Sequence, residues 1–200
     1  MDPTLQALRE RAKTGTPLQR RAYLINGLVF ARMTIQNRTE IAERGFQYWL
    51  RTGVVPKALN LYATVELSVA SAQSLQVADS EEIWQARKTP HLAEQIVQAK
   101  VWGIGVPKAH FALACAGFGK GGCIDSRLGN KYAERLATYA RRSSDGLGWV
   151  WHASKPGWVR YAQACEAIWG RGDHANKQWV EWLHDMSKEG RRTTHGCLLD

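Results

Sequence analysis

Two glycines flanking an isoleucine, Gly103-Ile104-Gly105, stand between two apolar stretches of the chain. Glycine at both positions lets the backbone turn tightly and leaves peptide amides facing outward. Pro107 suits the first turn of a following helix, whose N-terminus adds further free N–H groups. These donors suit an anion such as a phosphate, with Ile104 tucked back between the helices, Val106 closing the bend and Ala109 small enough for close packing. On packing alone the same segment reads as a corner between two helices. Lys100, Lys108, Lys120, Arg127 and Lys131 flank it, placed to track a phosphodiester backbone or to keep a face solvated. Asp125 stands where a helix N-cap would stand. His110 reads as a packing or surface residue.

Charge supports an anionic partner. Lys and Arg number 27 against 18 Asp and Glu, a formal charge of +9, which concentrates polyanions near the surface, nucleic acid first and anionic lipid second. Cys115, Cys123, Cys165 and Cys197 have no CxxC spacing, so the expectation is reduced thiols, no metal and no cofactor. The longest apolar run, near Leu24–Ala31, is broken by Asn26 and falls far short of the ~20 residues that span a bilayer. The opening residues have no apolar core of a secretory signal. A cytoplasmic protein without a membrane partner is expected.

Positioning the bend requires helices, and helical periodicity dominates. Helices are expected over 3–13, over 18–33 with Tyr23, Leu24, Gly27, Leu28 and Ala31 on its apolar side, and from a cap at Asn37 to Gly53. Pro56 opens an expected helix over 57–75, Asp79 or Ser80 caps the next, and 91–102 ends at Gly103. After the bend, helix is expected to about Ala116, then the loop of Gly117, Gly119, Gly121 and Gly122, which lacks the order of a nucleotide-binding loop. Helix over 125–142, a connection bearing Trp149 and Trp151, and helices over 156–169 and 174–188 complete the pattern. The fold class is all-α. Residues 1–190 form one helical domain, with a two-lobed arrangement left open, the hairpin at 91–116, the aspartate-bearing loop and helix at 117–142, and a basic tail at 191–200. Trp169, Trp179 and Trp182 read as core, whereas Trp149, Trp151, Trp158, Tyr23 and Trp49 are candidates to stack on a base.

The segment Gly103-Ile104-Gly105-Val106-Pro107-Lys108-Ala109 resembles the hairpin of helix-hairpin-helix DNA-binding proteins, which reads roughly G-(I/V)-G-x-x-x-A. More specifically, residues 91–140 resemble the base-excision DNA glycosylase superfamily, in which an aspartate follows the hairpin by about twenty residues. Asp125 lies 20 positions after Gly105, within Cys123-Ile124-Asp125-Ser126-Arg127. The resemblance implies an enzyme that extrudes a damaged or modified base from duplex DNA and hydrolyses its N-glycosidic bond. Asp125 would then stabilise the oxocarbenium-like sugar or orient water. Relatives that also cleave the backbone carry a lysine nucleophile two residues after the second glycine. That slot is Pro107 here, and Lys108 falls one residue later, ~100° around a helix. The implied enzyme is therefore monofunctional, with Lys108 on a phosphate rather than in a Schiff base; separately, a monomer is expected. Two other readings stay open: a related enzyme of viral DNA hypermodification that transfers a group to a modified pyrimidine, and a non-catalytic hairpin protein in which Asp125 is only a cap.

Overall fold

Thr16 and Gln19 start the central helix. Thr16 Oγ1 accepts a hydrogen bond from the Gln19 N–H (3.2 Å), and the Thr16 N–H donates to Gln19 Oε1 (2.8 Å). This reciprocal cap satisfies two donors that a helix start otherwise leaves open. The helix it launches, α2 (Pro17–Met33), is buried without interruption from Ala22 to Met33. A helix apolar all round can be stable only when neighbours enclose it. They are α1 (Pro3–Thr14), α3 (Thr39–Thr52), α4 (Tyr62–Gln73), α5 (Val77–Ala86) and α7 (Val106–Cys115), while α6 (Leu92–Lys100) packs on α5 and α7. The computed structural model describes residues 3–75, 77–87, 92–118, 123–124, 126–144, 149–151 and 157–169.

The most extensive helix pairing is between α2 and α7. Gly27 explains how close they come: a Cβ there would lie 2.5 Å from the Ala112 carbonyl oxygen and 3.4 Å from Ala116 Cβ. Phe30, Phe46 and Phe111 fill the space beside this contact, with ring centroids 5.0 and 6.2 Å from Phe30. The resulting core runs from Leu8 through Phe118 to Cys123. A second apolar cluster gathers Val106, Ile124, Leu136, Tyr161, Ala164, Cys165 and Ile168. It lies under α9 (Ala133–Leu136), which follows α8 (Ser126–Lys131), and under α10 (Gly157–Trp169). The all-α fold thus has two apolar centres, with α7 contributing to both.

Several elements differ from the sequence expectation. Residues 57–61 form turns, and α4 begins only at Tyr62, because Leu61 adopts φ +57°, a left-handed conformation that interrupts a helix. Arg38 rather than Asn37 precedes α3. Asn37 instead donates to the Met33 and Ile35 carbonyls and accepts from the Asn60 N–H, tying α2's end to the turn before α4. Asp79 and Ser80 lie inside α5 rather than capping it. The expected helix over 125–142 breaks into α8, α9 and a short strand, β1 (Ala140–Arg142). That strand pairs antiparallel with β2 (Trp149–Trp151), Arg142 opposite Trp149, and the Arg142 guanidinium sits 5.3 Å from the Trp149 ring centroid. Cross-strand packing of aromatic and long basic side chains outweighs helix propensity here. The segments expected at 174–188 and 191–200 lie outside the described residues.

Candidate functional site

The bend between α6 and α7 has the local form that two glycines and an isoleucine suggest. Gly103 is left-handed, φ +70°, a conformation costly for residues with a Cβ. Gly105 is different: φ −81° and ψ 172° are extended values open to any residue, and a Cβ there would meet only Pro107 Cδ at 3.9 Å. The turn itself therefore requires glycine at Gly103 alone. Ile104 is buried, 4% exposed, and joins the main core, which pins the bend while Gly103 and Gly105 face solvent. Among the described residues, the Gly103 and Gly105 N–H groups meet no acceptor. Val106 and Pro107 start α7, whose first N–H groups point the same way along its axis. The Ile104 N–H is taken by the Val101 carbonyl (3.4 Å) and Pro107 has none, so the donors of this corner are the Gly103 and Gly105 amides with the first turn of α7 behind them.

A cation missed in the sequence sits beneath that corner. Arg32, near the end of α2, is 5% exposed; its Nε donates to Ser68 Oγ (3.1 Å) and its Nη2 to Thr64 Oγ1. A Cβ on Gly103 would lie 3.3 Å from Ser68 Oγ and 3.9 Å from Arg32 Nε. Burial draws the Arg32 pKa below its ordinary value, yet a guanidinium stays charged at any accessible pH. Its partners are neutral hydroxyls, and among the described residues no carboxylate pairs with it. The positive potential is left to act on whatever approaches the bend. The signal available in the sequence was one arginine among apolar residues in Val29-Phe30-Ala31-Arg32-Met33.

Two of the flanking lysines have polar partners within the fold. Lys108 is half-buried; its Nζ donates to Thr34 Oγ1 (2.7 Å) and lies 5.5 Å from the Phe111 ring centroid. Thr34 is the C-cap of α2, where a cation offsets the helix dipole. Lys100 pairs with Glu82 at 3.2 Å. Lys131, exposed at the end of α8, lies 5.4 Å from the Tyr132 ring centroid. Arg127 lies on α8. Asp125 and Lys120 lie outside the described residues.

Ile124, the residue before Asp125, has a fixed partner. Tyr161, fully buried on α10, accepts a hydrogen bond at its hydroxyl from the Ile124 N–H (2.9 Å). Ile124 belongs to the same apolar cluster as Val106, the residue after Gly105. One end of the bend and the residue before Asp125 therefore share one packed centre. His110, 5% exposed, meets the Tyr161 ring edge-on at 5.3 Å, and its Nε2 lies 3.6 Å from Glu94 Oε1 across α6 and α7. It is a packing residue. Burial pushes the Cys165 thiol up to about 12 and also raises the Cys115 thiol and the Tyr161 hydroxyl well above their ordinary values. Such groups are inert as nucleophiles near neutrality. Two stacking candidates are excluded: Tyr23 and Trp49 are 2% and 4% exposed, and Trp49 Nε1 donates to Asn26 Oδ1 inside the core. Trp149 packs partly buried against the second cluster.

No protein-family model, curated protein or solved structure matches the chain. Among the described residues, no helix is long and apolar enough to cross a membrane, and no group of three His, Cys, Asp or Glu side chains is arranged to hold a metal.

Proposed function

We propose that the chain binds duplex DNA through the Gly103–Gly105 bend and hydrolyses the N-glycosidic bond of an extruded, damaged or modified base, with Asp125 as the catalytic carboxylate. The observation that carries this reading is the shared centre of Val106 and Ile124. It puts the residue after Gly105 and the residue before Asp125 in one packed centre. Arg32 beneath the bend adds charge of the right sign, and the formal charge of +9 draws in polyanions. Rotating a nucleotide from the stack costs a few kcal/mol, which the phosphate grip offsets. A carboxylate beside the sugar then favours the cationic transition state more than the neutral ground state. Lys108, held at Thr34, fits a monofunctional enzyme with no lysine nucleophile.

The test has two parts. Affinity for a duplex should fall steeply with rising salt, as phosphate contacts require. Asp125→Asn should bind as tightly as wild type while losing base release. A flat salt response, or unaltered base release in Asp125→Asn, would defeat the proposal.

A further inference from the structure

Trp102 is the large apolar side chain that the bend leaves in solvent, 52% exposed. Its backbone is fixed, with the N–H donating to Ser71 Oγ on α4 at 3.0 Å, so the indole is presented from a rigid position. The indole lines an open groove of about 570 Å³, whose other walls are Ser71, Gln98, Lys100 and the two glycines of the bend, with Ala99, Val101 and Ile104 between them. Those walls offer the Gln98 amide and backbone groups; the Lys100 ammonium is paired with Glu82, Val101 and Ile104 are almost wholly buried, and the indole is the broadest apolar surface. Such a lining does not suit the apolar face of a protein helix. A second copy of a chain with charge +9 would also bring like charge against like. A nucleotide suits this lining: the indole takes a flat ring and sugar, Gln98 a polar edge and the amides of the bend a phosphate, while the Ser71 hydroxyl is already held between the Ser68 carbonyl and the Trp102 N–H.

We infer that the groove takes one nucleotide of the DNA strand whose phosphate meets the Gly103–Gly105 bend, with Trp102 packed on its sugar and base. This rests on the DNA-binding reading above and adds a contact that the glycine pattern does not specify. Aromatic side chains presented to a groove of DNA contribute by stacking and wedging, independently of charge.

The experiment measures binding of a fluorescent duplex to the full chain over a salt series for wild type, Trp102→Ala and Trp102→Phe, with sedimentation at the same concentrations. Trp102→Ala should weaken binding on the order of tenfold, and Trp102→Phe should retain most of the affinity. The slope of log affinity against log salt should stay unchanged, because no charge is removed. Nearly half the indole is covered, so Trp102→Ala should melt a few degrees below wild type and Trp102→Phe less so, and binding is measured well below all three melting temperatures. Wild-type affinity in Trp102→Ala overturns the inference, as does a change in sedimentation showing that the indole joins two copies. A wild-type chain that shows no salt-dependent binding removes the DNA reading itself, a separate outcome from a silent Trp102→Ala.

Discussion

The two glycines of the bend look alike in sequence and should respond oppositely to alanine. Gly103 is left-handed at φ +70°, and an added Cβ would crowd Ser68 Oγ at 3.3 Å. The left-handed penalty for an L-residue is ~1–2 kcal/mol, partly offset by the loss of unfolded-state freedom, ~0.4–1 kcal/mol. A net destabilisation of about 1 kcal/mol should lower the melting temperature by about 2–4 °C in a chain of this size. At Gly105 the backbone is extended and the nearest atom to a new Cβ is 3.9 Å away. The strain vanishes and only the unfolded-state term remains, so Gly105→Ala should raise stability slightly, by ~0.4–1 kcal/mol. Its glycine matters only if something outside the chain must approach the amide. A methyl group there would hold a phosphate oxygen off its donor, and losing one charge-assisted hydrogen bond should weaken duplex binding about tenfold or more. Thermal unfolding by circular dichroism and fluorescence anisotropy on a duplex read the two effects separately. An early-melting Gly105→Ala would refute the backbone argument. A stable Gly105→Ala that binds DNA like wild type would refute the phosphate grip.

Other consequences follow from the same structure. Gly27→Ala forces a Cβ to within 2.5 Å of the Ala112 carbonyl, and overpacking of this kind should cost about 1–3 kcal/mol in denaturant unfolding; a neutral result would mean that α2 and α7 separate easily. Cys165 keeps its proton in the fold up to about 12, against an ordinary 9.0. Above roughly pH 9 the unfolded chain then binds fewer protons than the native one, and stability falls as pH rises towards 12. Melting temperatures between about pH 8 and 11 should decline less steeply in Cys165→Ala than in wild type. Borohydride trapping on DNA with a released base should give no covalent adduct, because Lys108 is committed to Thr34; an adduct abolished by Lys108→Ala would contradict that assignment.

The bend was legible because its signals are local: glycine spacing, Pro107 at a helix start, and an apolar residue between the glycines. The central helix was legible for a similar reason, since a long apolar run after Thr16 and Pro17 leaves few alternatives. Interactions distant in sequence were not. Arg32 meets Ser68 and Gly103, and Tyr161 meets Ile124, pairings set by packing that no periodicity encodes. The break of 125–142 into two short helices and a strand goes with Trp149 arriving from downstream to pair opposite Arg142 and to pack, as Tyr132 and Tyr139 do, against the second apolar cluster. Tyr23 and Trp49 carry the residue types of base-stacking groups, and only their burial shows that they belong to the core. The equivalence drawn between Gly103 and Gly105 failed because glycine's identity does not reveal which backbone angle it adopts.

The most direct measurement is the intact mass of duplex oligonucleotides carrying damaged or modified bases after incubation with wild type and with Asp125→Asn. Wild type should lower the mass of at least one substrate by that of one free base less one water, leaving an unbroken strand with an abasic site, and Asp125→Asn should leave every mass unchanged. A mass gain would contradict hydrolysis in favour of group transfer, and unchanged masses throughout, with binding intact, would leave a DNA-binding protein without this chemistry.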